Sequence, residues 1–231
     1  ALRGPTAFAP GGDLLANGAF ISQMASGRPV VLLPVIGDAA AATLVNGEAD
    51  AVAFSPDGRY FASGPVLYED KAGTRQSGMA VWRISGDIRA EARPQQGAEI
   101  IVDIVGEGIE ELYGYELLIG YDNTRLQALD VLPGDLLERG GGSALWQPLV
   151  DDSQGEVALV GVRLSPGEID GSGTLATITF QARMAGVTPL LFRIVEPVDV
   201  EGRSFLIMPH TAEVNPPSDA SMRVTTTAVL T

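Results

Sequence analysis

Apolar residues in this chain fall in short runs, and most runs are closed by Gly, Pro, Asn, Asp or Ser. Beyond residue 96 the runs read "EIIVDIV" (99–105), "LYGYELLIGY" (112–121), "LQALDV" (126–131) and "ALWQPLV" (144–150). "EVALVGVRL" (156–164), "TLATITFQAR" (174–183), "TPLLFRIV" (188–195) and "SMRVTTTAVL" (221–230) follow. Between them stand "YDNTR", "LPGD", "RGGGS", "DDSQG", "SPGEIDGSG" and "VEGRS". With "DIRAEAR" (87–93) this makes about nine strands. Helical periodicity is weak throughout. Regularly spaced strands with Gly/Pro turns predict an all-β sandwich or jelly roll. Within the separators, "EIDGSG" reads as a turn, with Asp170 capping and Gly171 bending.

The first 87 residues carry a different pattern, a phrase used twice. "AFAPGGDLLANG" (7–18) and "AFSPDGRYFASG" (53–64) share six of twelve residues at an offset of 46. "VLLPVIGD" (31–38) echoes "AVWRISGD" (80–87) at an offset of 49, the added residues falling in a loop. Each phrase reads as strand, tight turn, strand. "AVAF" (51–54) is expected to be a short buried strand, and Pro56-Asp57-Gly58 the turn, with Gly58 free to take φ > 0. "YFAS" returns beside it and "MAVWRI" (79–84) adds a third strand. Trp82 is expected to be structural.

The pattern "VAFSPDGRYFASG…MAVWRISG" resembles a WD-repeat blade, the four-stranded unit of a β-propeller. It departs from the usual Trp-Asp ending at Trp82-Arg83, and at Leu33-Pro34 in the first copy. The resemblance implies two four-stranded propeller-like blades over residues 5–87. A closed propeller needs about four blades or more. The chain starts without Met, which favours blades cut from a longer chain; blades donated by other copies in a homo-oligomer, or a remnant packed on the sandwich, are the alternatives. Residues 87–95 could close the second blade or open the jelly roll, and the jelly roll is preferred.

Charge separates the two regions. Residues 1–96 hold 8 basic and 9 acidic side chains; residues 97–231 hold 7 and 20. The acidic part would repel phosphate backbones, which argues against nucleic acid. Its excess acid fits solubility, or a face selected for a partner. With no cysteine, disulfides and thiolate-bound metals are excluded, though the compartment is not fixed. No apolar run is long enough to span a membrane as a helix. Lys71 is the one lysine beside fourteen arginines, a bias without a physical account.

Behind the repeat, "YGYELLIGYDNTRLQALDVLPGDLL" (113–137), "EVALVGVRLSPGEIDGSGTLATITFQAR" (156–183) and "VEPVDVEGRSFLI" (195–207) resemble a cohesin domain in their order and spacing. The resemblance places such a domain at 88–231. It implies a nine-stranded jelly-roll sandwich that binds a dockerin-like helical module through one sheet face, outside the cell or at its surface, without catalysis. In the strand 112–121, Tyr113, Tyr115, Leu117, Ile119 and Tyr121 alternate with Gly114, Glu116, Leu118 and Gly120. The first set is expected in the core. Carried over by position, Gly114, Glu116, Leu118 and Gly120 match the partner-binding strand, with Arg163 near the end of the next one. Gly114 and Glu116 stand where the family often has Asn or Asp, which alters the hydrogen-bonding set.

Other chemistry is poorly supported. His210 has no marked nucleophile or orienting acid and is read as an exposed loop residue. The acids Asp151-Asp152, Glu168/Asp170 and Asp199/Glu201 lack the spacing of a calcium loop. No catalytic residue, metal or cofactor is therefore assigned. The rivals to protein recognition are a carbohydrate-binding module using Tyr113, Tyr115, Tyr121 or Trp146, and an architectural surface module that self-associates.

Overall fold

The computed structural model describes residues 6–10, 12, 14–17, 20–23, 29–32, 43–46, 51–69, 75–93, 98–210 and 212–215. The repeat region contributes β1 (Thr6–Phe8), β2 (Leu14–Asn17), β3 (Phe20–Gln23), β4 (Pro29–Leu32), β5 (Thr43–Asn46), β6 (Ala51–Phe54), β7 (Tyr60–Glu69) and β8 (Arg75–Ala92). Then come β9 (Glu99–Leu112), β10 (Gly114–Gly120), β11 (Leu126–Pro133), a 3-10 turn (Leu136–Gly141), β12 (Ala144–Asp151) and β13 (Glu156–Arg163). β14 (Ile169–Ala182), β15 (Thr188–Val198), β16 (Leu206–His210) and β17 (Ala212–Val214) complete the series.

Two sheets make the sandwich. One runs β12–β13–β10–β15–β17. The other runs β11–β14–β9–β8 and continues through β7 to β5, with β16 added parallel to β8. Their inner faces follow the period-two alternation of the sequence. β9 supplies Ile100, Val102 and Ile104, β14 supplies Ala176, Ile178 and Phe180, and β10 supplies Leu117 and Ile119, all buried. Tyr121 closes edge-on against Phe180 at 5.1 Å between ring centroids.

Strand β8 belongs to both regions. Its first residues pair with β7, from Glu69↔Arg75 to Tyr60↔Arg83. Residues 87–92 pair with β9, from Asp87↔Glu107 to Ala92↔Val102, while β16 lies alongside from Ile84 to Arg89. Gly86 sits at the handover with φ 79°, a value that permits the local bulge, and a Cβ there would lie 2.4 Å from the Glu107 carbonyl oxygen. Ser85 secures the handover: its Oγ donates to the Glu110 carbonyl at 3.1 Å and accepts from the Glu110 N–H at 2.8 Å. Asp103 ties three segments together. Its carboxylate takes two bonds from Arg93, at 2.6 and 2.7 Å, and one from the Thr177 hydroxyl at 2.7 Å.

The repeated phrase folds as read at its first hairpin. Ala7↔Ala16 and Phe8↔Leu15 in β1–β2 recur as Ala53↔Ala62 and Phe54↔Phe61 in β6–β7. Gly58 takes φ 72°, and its N–H donates to the Ser55 carbonyl at 2.9 Å. Asp57 accepts from the Ser55 hydroxyl at 2.6 Å. Trp82 is buried against Phe61, with ring centroids 5.6 Å apart.

Several expectations are corrected. β1–β2–β3–β4 is a four-stranded sheet, but the second phrase does not repeat it. β7 runs straight on to Glu69, so β6, β7 and β8 join the sandwich sheet, and no sheet among the described residues closes into a ring. "AVAF" is only half-buried, alternating exposed Ala with partly buried Val52 and Phe54. "EIDGSG" is not a turn: β14 begins at Ile169 and pairs irregularly with β9, and the bend at Gly171 (φ 114°) is absorbed as a bulge. Late in the chain, β16, from "LIMPH", joins β8 and the short β17 joins β15. The β16 run is short and interrupted by Pro209, which hid it. Residues 221–230, read as a strand, lie outside the described residues.

Phe61→Ala is expected to cost about 3–5 kcal/mol in denaturant unfolding, because the ring is fully enclosed. The Arg93 hydrogen bonds hold the Asp103 carboxyl below its ordinary value of 3.8. A carboxyl that titrates lower in the folded state stabilises above its unfolded pKa and loses that contribution as pH falls through the folded one. Asp103→Asn should therefore destabilise at pH 7, and urea titrations in acid should show its deficit shrinking below about pH 4.

Candidate functional site

The sheet face turned away from the core is built from β12, β13, β10 and β15, and its registers lay the side chains in rows. Leu145, Val162, Gly114 and Val198 form one row. Gln147, Val160, Glu116 and Glu196 form the next, followed by Leu149, Ala158, Leu118 and Ile194. A last row holds Asp151, Glu156, Gly120 and Leu191. Two apolar rows thus flank a row containing two carboxylates. Leu145, Leu149 and Val160 are 59%, 68% and 41% exposed, which is high for large apolar side chains on a strand surface.

Glu116 and Glu196 lie directly opposite each other on adjacent strands. Both are exposed, and no cation pairs with either among the described residues. Like charges in this relation destabilise a sheet. The last row shows the usual remedy: Arg193, at the bulge of β15, reaches over Gly120 to pair with Glu156.

The residues singled out from sequence divide accordingly. Glu116 and Leu118 stand on the open face. Gly114 does too, but it is buried between the side chains of Val162 and Val198. Gly120 lies beneath the Arg193 guanidinium and offers no open surface. Arg163 is a correction. It shares the inward parity of Val157 and Leu159, is buried, and donates to the carbonyls of Leu137 at 2.6 Å and Arg139 at 3.2 Å. It clamps the 3-10 turn rather than facing a partner. Glu196 escaped sequence reasoning because β15 reads as an apolar run, and only its pairing with β10 brings the second carboxylate beside the first.

The aromatic residues form no platform on this face. Tyr115 is buried and its hydroxyl crosses the sandwich to donate to the Leu175 carbonyl at 2.8 Å. Burial pushes that phenol up, against a smaller opposing pull from Trp146. Tyr121 is likewise raised, by burial and by the Asp152 carboxylate that accepts its hydrogen bond at 2.8 Å. Tyr113 is half-buried. Trp146 turns inward from β12 and lines a cleft of about 350 Å³ with Tyr115, Leu137 and Leu175.

Of the acidic groups, Glu168, Asp199 and Glu201 converge, their oxygens within 4.8 Å of one another. Those oxygens are already engaged. Arg203 donates to Asp199 at 2.6 Å and to Glu201 at 2.9 Å, and the Val200 N–H donates to Glu168 at 2.9 Å. The arrangement is a hydrogen-bonded turn braced by Arg203 rather than a cation cage. Asp170 goes elsewhere, to the Glu111 N–H at 2.8 Å. Asp151 caps its own turn through the Ser153 hydroxyl, which holds its carboxyl below the ordinary value. His210 is not in a loop. It ends β16, half-exposed, with Nε2 2.8 Å from Asp87 Oδ1. No helix among the described residues is long and apolar enough to cross a membrane.

No protein-family model matches the sequence, and no curated protein matches it. Among solved structures, the chain is similar to a non-cellulosomal cohesin from the hyperthermophilic archaeon Archaeoglobus fulgidus. The identity is 24% and the TM-score 0.48, covering 58% of this chain and 93% of that one. It is similar to the second type II cohesin module of the ScaA scaffoldin of Acetivibrio cellulolyticus, at 19% identity and TM-score 0.49, covering 58% and 91%. It is also similar to a chain of a type I cohesin–dockerin complex from Clostridium thermocellum, at 14% identity and TM-score 0.49, covering 58% and 94%.

Replacing one carboxylate of the opposed pair is expected to stabilise the isolated protein. Glu196→Gln should gain about 0.2–1 kcal/mol in low-salt denaturation, and the gain should fade in high salt.

Proposed function

We propose that this chain is a non-catalytic recognition module that binds a dockerin-type helical protein through the outward face of β12–β13–β10–β15, at the cell surface or outside the cell. The binding unit is taken as residues 88–231, with β6, β7 and β8 of the repeat region joined to its second sheet. Three things support the reading: the cohesin-like order of sequence features, the two-sheet sandwich, and the composition of this face. The observation that carries it is the unpaired Glu116–Glu196 couple set between two exposed apolar rows.

Successive rows are about 6.8 Å apart, so the two apolar rows are separated by about 13 Å. That distance matches two turns of an α-helix, about 11 Å, together with the width of its side chains. An amphipathic helix laid on the face can place apolar residues on both rows and a Lys or Arg between them. Its cation would relieve the repulsion that the free protein carries, which makes the couple a device for choosing a basic partner. Residues 1–231 themselves carry no calcium-loop spacing of the dockerin kind.

Calorimetry of the whole chain against a panel of dockerin modules should find 1:1 binding. Glu116→Lys and Glu196→Lys should each weaken it about 30-fold or more, with Gln127→Ala on the opposite sheet leaving it unchanged. Absence of binding across the panel, or indifference to both charge reversals, would sink the reading.

A further inference from the structure

The two copies of the repeated hairpin expose opposite faces. In each, one face carries small residues, Ala7 and Ala16 in the first and Ala53 and Ala62 in the second. The other face carries large ones, Phe8 and Leu15 in the first, Phe54 and Phe61 in the second, with Trp82 opposite Phe61 on β8. In the first copy the small face is covered, Ala16 being fully buried, while Phe8 is 60% exposed. In the second copy the large face is covered, with Phe61 and Trp82 buried. Its small face is open: Ala53 is exposed, Val81 beside Ala62 is 56% exposed, and Met79 is 67% exposed.

Inside the chain these surfaces already meet. β1 and β2 lie against β6, and the Gly58 turn touches Pro10, to whose Cγ a Cβ on Gly58 would come within 3.6 Å. The first copy therefore presents its small face towards the second copy. Among the described residues, one surface of each kind remains open, the Phe8 side of copy one and the Ala53–Val81 side of copy two.

We infer that this chain self-associates head-to-tail, the Phe8 face of one molecule packing on the Ala53–Val81 face of the next. The contact continues between molecules the packing already made within one. It is heterologous, so each molecule gives one surface and receives on another. Charge permits it. Residues 1–96 hold 8 basic and 9 acidic side chains, so the repeat region is nearly neutral, whereas the acidic sandwich would repel its like. Arg83, at the edge of the small face, is held by Glu110 and Glu111 at 3.0 and 2.6 Å.

A heterologous contact has a signature that a symmetric one lacks. In sedimentation velocity, the mass of the full 231-residue chain should rise with concentration. Phe8→Glu and Val81→Glu should each remain monomeric, because every contact needs one surface of each kind. Mixed together, the two variants should form a dimer capped at 1:1, since each keeps the surface the other has lost. Both positions are exposed, and unchanged far-UV circular dichroism and Tm establish that the variants fold. A wild type that stays monomeric, variants that still associate alone, or a mixture that stays monomeric would each overturn the inference.

Discussion

Everything in this molecule hangs on one strand that is shared. β8 spends its first residues pairing with β7 and its last pairing with β9 and β16, so the repeat hairpin and the sandwich use a single continuous backbone ladder. A flexible linker would leave two bodies free to reorient. A hydrogen-bonded strand does not, because swinging one part would break ladder bonds on both sides of the joint. Gly86 and Ser85 absorb the change of partner, and Arg83 braces it through Glu110, Glu111 and the ring of Phe205, 5.7 Å from its guanidinium carbon.

With the sandwich so fixed, its outer face becomes a rigid surface whose rows stay in register. Interior charges are handled conservatively. Arg163 caps carbonyls, Asp103 takes donors from two other segments, and Arg203 pairs with two of three converging carboxylates, Asp199 and Glu201. The Glu116–Glu196 couple stands apart because it is left unrelieved on an apolar ground. Proteins tolerate such local costs where a partner removes them, and the rest of the fold supplies the stability that makes the cost bearable. The open surfaces of the repeat hairpins follow the same logic in apolar form, each lacking the neighbour that its counterpart already has.

Period-two patterning is a local property, which is why so much could be read along the chain. It places Tyr115, Leu117 and Ile119 in the core and Glu116 and Leu118 outside, because alternation is set by backbone geometry alone. The same rule, applied to β13, puts Arg163 inside, against its assignment to the partner face by position in the resemblance. The turn at Pro56-Asp57-Gly58 and the common register of the two hairpins were likewise written in adjacent residues.

What the sequence by itself determined, then, is the all-β class, the alternation within each strand and the duplicated hairpin, since each depends on neighbours a few residues apart. Tertiary structure alone decided which strands lie side by side. That β7 runs on where β2 gives way to β3, that β16 lies parallel beside β8, and that Glu196 stands across from Glu116 are all outcomes of pairing between distant segments. Such pairing is chosen by how whole faces bury against one another, and no local pattern records it.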